Sequence, residues 1–207
     1  MPDFDDDEYE SFDLEDSGDD SDEEADSDEE AESDDLDASD EDELEDAAPD
    51  EIDFVLAAYR EDGQPMVQAL AADLANDLDE LIIQLRRLPG DAGAVGFISL
   101  VEEVFAIVRV RGQHVQLLLS DGGAATEWPI ARDIADMLGA DIPDPDDEEA
   151  EPMGDLGILS DLGISDFEMG TIIDNLDMSS DQMLTEVADQ IKIGPQFRKA
   201  SEAAFPT

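Results

Sequence analysis

Cysteine is absent from this 207-residue chain, which excludes disulfides, thiolate zinc sites and cysteine nucleophiles together. Histidine occurs once, as His114. A zinc hydrolase centre needs several His or Cys ligands plus a Glu, so this sequence cannot supply one. Basic residues are scarce: nine Lys and Arg stand against 61 Asp and Glu, a formal charge of −52. None of the nine falls within residues 1–51, and the first is Arg60. Affinity for a polyanion depends on net cationic contact, so direct nucleic-acid binding is not expected. No apolar run approaches the ~18–20 residues of a membrane-spanning helix, and the N-terminus has no basic-then-apolar leader pattern. A soluble, cytoplasmic protein is expected, with no membrane partner.

What is present divides the chain. Residues 1–51 hold 30 of the 61 carboxylates, interrupted only by scattered apolar residues such as Phe4, Tyr9, Phe12, Leu14, Leu36 and Leu44. Such a segment cannot offset roughly 1–2 kcal/mol of backbone entropy per ordered residue, and a disordered acidic arm is expected. A solubilising tail is the plain reading. A polyanion that mimics nucleic acid before a basic groove is the functional one. The arm has no Asp-x-Asp-x-Asp-Gly loop ending in Glu, so a calcium site is not indicated. Residues 52–207 retain 61 − 30 = 31 acidic residues against nine basic ones. They divide into a sheet domain over 52–140, a Pro-punctuated acidic linker over 141–153 and a short-helix segment over 154–207.

Ile52–Tyr59 reads as a strand, with Ile52, Phe54 and Leu56 on one face. Asp62-Gly63 then signals a type I′ hairpin into a strand over Met66–Leu70. Leu74, Leu78, Leu81, Ile82, Leu85 and Leu88 recur at helical spacing and predict one helix over Asp73–Leu88, with its acids N-terminal and Arg86 and Arg87 C-terminal. Three strands follow, Ala94–Val101, Val104–Arg111 and His114–Ser120, and then a helix over Pro129–Leu138 stopped by Gly139. The expected fold is α+β, a five-stranded antiparallel sheet in β-β-α-β-β-β-α order with helices against one face. That order resembles longin or roadblock-like domains, which are binding and dimerisation modules. In the C-terminal segment, Ser165 with Glu168 and Ser179 with Gln182 form two capping-box patterns. Helices this short bury little surface alone and are expected to pack on the sheet or on a partner.

The candidate interface residues are Arg109, Arg111, Asp121 and Trp128. Arg109 and Arg111 leave one strand on the same face, and Arg132 is expected near them. A patch of this kind is able to contact phosphate. In so acidic a chain it is expected instead to pair with Glu102, Glu103 or Asp121. Ser120-Asp121-Gly122-Gly123 lacks the Gly-Lys-Ser/Thr ending of a phosphate loop and reads as a plain turn. His114 has no second His or Cys as partner and reads as an edge-strand residue. Trp128, the only tryptophan, is either a core anchor or an interface hot spot. No catalytic, cofactor-binding or metal-ligating residue is assigned, and no cofactor is expected.

Asp53 to Gly63, Phe105 to Val110, Leu118 to Asp121, and Gly154-Asp155-Leu156 through Leu162-Gly163-Ile164-Ser165 together resemble the bacterial tRNA adenosine deaminase-associated proteins. The resemblance covers most of 52–200 and leaves out the acidic arm. It implies association with the zinc enzyme that converts adenosine to inosine in a tRNA anticodon. The enzyme's own His-x-Glu and Pro-Cys-x-x-Cys elements are missing here, so the resemblance implies a non-enzymatic companion, with the deaminase as protein partner. The alternatives are a general acidic adaptor that self-associates through its sheet edge, and an enzyme working through carboxylates alone.

Overall fold

Strand β1 (Ile52–Glu61) turns back into β2 (Gln64–Ala69) through Asp62-Gly63. Both turn residues have positive φ, 52° and 80°, as a two-residue type I′ hairpin requires. The chain's computed structural model describes residues 44–90, 93–143 and 151–204, all within one compact unit. Residues 1–43 of the expected disordered arm lie outside the described residues, as do 144–150 of the expected linker. Residues 44–51 are tied to the body. The Ala47 N–H donates to Asn76 Oδ1 (2.8 Å), Asn76 Nδ2 donates back to the Ala47 carbonyl (3.1 Å), and the Val101 N–H donates to the Glu51 carbonyl (2.8 Å).

The other strands are β3 (Ala94–Leu100), β4 (Val104–Arg111), β5 (His114–Leu119) and β6 (Met153–Gly154), all antiparallel in the order β2-β1-β3-β4-β5-β6. Among the described residues the sheet therefore has six strands, not five. The sixth is two residues long and begins at the last residue of the expected linker, where no periodicity announces it. Gly154 allows it: its φ is 105°, and a Cβ there would lie 2.3 Å from the Leu117 carbonyl oxygen. A register shift between Ile52 and Phe54 separates residues that alternation alone puts together. Ile52 packs into one core, and Phe54 and Leu56 into the other.

Helices cover both faces, not one. On the first face lie α1 (Leu78–Arg87) and α2 (Pro129–Leu138), whose Leu78, Leu81, Leu85, Ile130 and Ile134 pack against Val55, Ile98, Val108 and Leu119. The expected helix over Asp73–Leu88 is broken at Asp77, which is extended (φ −143°) and accepts the Glu80 N–H. A capped start at Asp77 satisfies an orphan helix donor, and Ala72–Asn76 forms a separate 3-10 turn. The second face is covered by α3 (Asp166–Ile173), α4 (Ser180–Gln190) and α5 (Gly194–Ala204). Phe197 of α5 meets Phe54 and Phe97 edge-on, with ring centroids 5.5 and 5.4 Å away. Ser165 and Glu168 form the expected capping box. Ser179 makes no side-chain cap on α4, and its hydroxyl donates to the Asp181 carboxylate.

Candidate functional site

The antiparallel register gathers the arginines of the sheet at one end and leaves the other end to carboxylates. At one end, Tyr59 pairs with Ala94, Ala94 with Val110, and Arg111 with His114. Helix α1 runs toward this end: a Cβ at Gly96 would touch Leu85, and one at Gly90 would meet the Arg60 carbonyl. Arg60, Arg86, Arg87, Arg109 and Arg111, five of the nine basic residues, gather here. The far end carries the β3–β4 turn with Glu102 and Glu103, the start of β1 with Asp53, and Asp121 beyond β5.

Arg109 is 4% exposed, and both terminal nitrogens of its guanidinium are engaged inside the protein. Nη1 donates to the Ile158 carbonyl (2.6 Å) and to Asp161 Oδ1 (2.5 Å), while Nη2 donates to Asp161 Oδ2 (2.8 Å). The partner is thus Asp161, from the loop that leads into α3, not Glu102, Glu103 or Asp121, which lie at the other end of the sheet. Hydrogen bonds from Arg109 hold the Asp161 carboxyl below the usual aspartate range, and the Coulombic pull of Arg109 and Arg111 adds to this. Arg111 is exposed and approaches Asp161 at 3.8 Å, and it donates to Gln116 (2.9 Å). Arg132 belongs to α2 on the opposite face and donates to the Ala125 carbonyl (3.3 Å). Beside Arg60 and Arg109 a cavity of about 50 Å³ opens between Ala58, Val95, Leu162, Ile191 and Ile193.

Two buried hydroxyls join the layers at the acidic end. Ser99 of β3 and Ser180 of α4 are both fully buried, with their oxygens 2.6 Å apart. Ser99 donates to Asp53 Oδ2 (2.8 Å), which also accepts the Glu102 N–H (2.7 Å), and the Ser180 N–H donates to the Glu102 carbonyl (2.9 Å). This network holds the β3–β4 turn, where Val101 and Glu102 both have positive φ (47° and 58°). Beside it is a groove of about 610 Å³ with a floor of Ile173, Met178 and Met183. Glu102, Glu103, Asp121, Asp174 and Asp177 line it, and no Lys or Arg does. Leu176, also on its wall, is 95% exposed.

Of the sequence-derived candidates, the structure joins Arg109 and Arg111 at the basic end and places Asp121 on the acidic groove. Asp121 also accepts the Gly123 N–H (2.7 Å), in keeping with a plain turn. Trp128 is half-buried against the α1–α2 core, ahead of Pro129. Sequence reasoning missed Asp161, although an arginine inside the apolar run Phe105–Val110 signals a buried cation in need of a carboxylate. It also missed Ser99, Ser180 and Leu176. A second acidic cluster lies between α1 and α2. There Asp133 Oδ2 accepts the Leu78 N–H (3.4 Å), and partial burial, followed by the nearby Asp77, Asp79 and Asp136 charges, raises its pKa. Among the described residues, no group of three or more acidic or histidine side chains is arranged to hold a metal ion.

Residues 53–194 match the family described as Rv3753c-like tRNA adenosine deaminase-associated protein. The chain belongs to this family. The match runs from the start of β1 to the start of α5, and so includes the Arg109–Asp161 pair, the serine network and the acidic groove. Protein Rv3753c of Mycobacterium tuberculosis (strain ATCC 25618 / H37Rv) is 33% identical over 146 residues, covering 70% of this chain and 84% of that relative. No solved structure matches the chain. Among the described residues of this member of the Rv3753c-like family, no helix is long and apolar enough to cross a membrane.

Proposed function

We propose that the chain is a non-enzymatic, cytoplasmic accessory protein that binds a tRNA adenosine deaminase and regulates or steadies it. Membership of the deaminase-associated family carries this reading. Charge supports it: an enzyme that binds tRNA presents a basic surface, and a companion of charge −52 is attracted to such a surface and steered onto it. With no cysteine and a single histidine, the chain lacks the ligands of a zinc deaminase centre.

Co-purification with the tRNA adenosine deaminase of the same organism, at low and at high salt, tests the reading. Binding by the full chain that weakens as salt rises is the expected result. Failure to bind at low salt removes the deaminase as partner and favours a general acidic adaptor.

A further inference from the structure

Leu176 and Phe167 are the two most exposed large apolar side chains described, at 95% and 81%, and both belong to the α3 region. Phe167 and Asp174 are seven residues apart, two helical turns, so they share one face of this segment. That face leads into the groove floored by Ile173, Met178 and Met183. Leu176, exposed to water on the wall of a methionine-lined hollow, gives an apolar surface that no described residue covers. The carboxylates of Glu102, Glu103, Asp121, Asp174 and Asp177 rim it.

We propose that this groove is the docking site for a Lys/Arg-rich segment of the partner protein, one that brings an apolar anchor onto Leu176 and the methionine floor. The proposal rests on the accessory-protein reading and names the surface through which it works. Charge selects the occupant. A nucleic acid is repelled by five carboxylates, and residues 1–51 of this chain contain no Lys or Arg. A basic segment is attracted by the rim, while the apolar floor supplies the contact area that holds it. Thioethers adapt to varied side chains and suit such a floor. The Asp53–Ser99–Ser180 network behind the groove fixes the β3–β4 turn and the α4 start against each other, so the wall is preformed and little ordering opposes docking.

The test measures affinity of the full chain for the purified deaminase of the same organism, comparing wild type, Leu176→Ser, Asp174→Asn/Asp177→Asn and, as a control, Ile83→Ser. Ile83 is an exposed apolar residue on α1, across the sheet. Circular dichroism and thermal melts verify that each variant keeps the wild-type fold. Losses of about tenfold or more for both groove variants, with Ile83→Ser within twofold of wild type, are the expected result. The salt dependence is expected to be shallower for the Asp174/Asp177 variant. Wild-type binding that both groove variants retain overturns the groove and leaves the accessory reading standing. No wild-type binding at low salt overturns the accessory reading and the groove with it. Sedimentation of the wild type alone addresses a second copy as occupant: self-association abolished by Leu176→Ser overturns the proposal in favour of an interface between copies.

Discussion

Arg109 shows how one residue constrains its surroundings. A guanidinium placed in a strand whose neighbours are Phe105, Ile107 and Val110 has no access to water, and an uncompensated buried charge is costly. Its donors need fixed acceptors, and the loop carrying Ile158 and Asp161 provides three. Asp161→Asn keeps the shape and removes the charge. We expect a loss of about 1–3 kcal/mol in urea unfolding at pH 7, less than for a wholly buried pair because Asp161 is half exposed. The sign with pH follows from the lowered carboxyl pKa. Stability from the pair is present above the unfolded aspartate value of about 3.9 and disappears as pH falls through the lower folded value. Wild type and Asp161→Asn should therefore differ by a constant amount between pH 5 and 8, and converge in stronger acid. Asp133 is the opposite case. Burial and three neighbouring aspartates raise its pKa, so its ionised form opposes folding above that pKa, and protonation relieves the penalty as pH falls through it. Asp133→Asn should raise the melting temperature at pH 7, with the advantage over wild type shrinking as pH is lowered.

At the scale of elements, strand order and helix ends follow from local chemistry, and layering does not. Asp62-Gly63, Pro129 and Gly139 mark their boundaries because special φ values and missing donors are properties of single residues. The break at Asp77 was hidden because Leu74 and Leu78 continue the apolar spacing across it, while a cap competes through one side-chain hydrogen bond. The second helical layer was written in β3 and β4. Ala94–Leu100 and Val104–Val110 contain hardly any polar alternation, and all of these residues are buried, as befits strands covered on both sides. Alternation in β5 groups Leu118 with His114 and Gln116, yet Leu118 packs under the C-terminal helices. Of the acidic groove only Asp121 was singled out in the sequence: the groove unites residues from the 102, 121 and 176 regions, which meet only after folding. Its turn offers a test. Glu102 is exposed at φ 58°, a conformation that favours glycine. Glu102→Gly should increase stability by about 0.5–1 kcal/mol in chemical denaturation while weakening partner binding, because it removes a groove carboxylate. A variant that is both more stable and a poorer binder separates folding from docking.

The described body is a sheet between two cores, each closed by helices from a different part of the sequence. Phe197 closes the second core against Phe54 and Phe97. Phe197→Ala should cost about 3–5 kcal/mol, read as a drop in the urea midpoint. The body also depends on residues ahead of the first strand. Residues 1–43 contain 26 carboxylates, so their removal changes the formal charge from −52 to −52 + 26 = −26. It breaks no hydrogen bond among the described residues and relieves self-repulsion. A chain of 44–207 should therefore melt at or above the temperature of the full chain, and added salt should narrow any gap by screening. Removing eight more residues has a different effect. Ala47, 6% exposed, leaves the first core. The Asn76 amide loses both of its bonds to Ala47, and the Val101 N–H, held in a positive-φ turn, loses the Glu51 carbonyl. At about 0.5–1.5 kcal/mol for each hydrogen bond, the chain of 52–207 should be about 2–4 kcal/mol less stable than that of 44–207. Hydrogen exchange should locate the loss at the Asn76 loop and the β3–β4 turn. Equal stability of the two truncated chains would mean that the folded body begins at β1. A drop confined to the shorter chain would place its true boundary near residue 44, inside what composition alone assigns to the acidic arm.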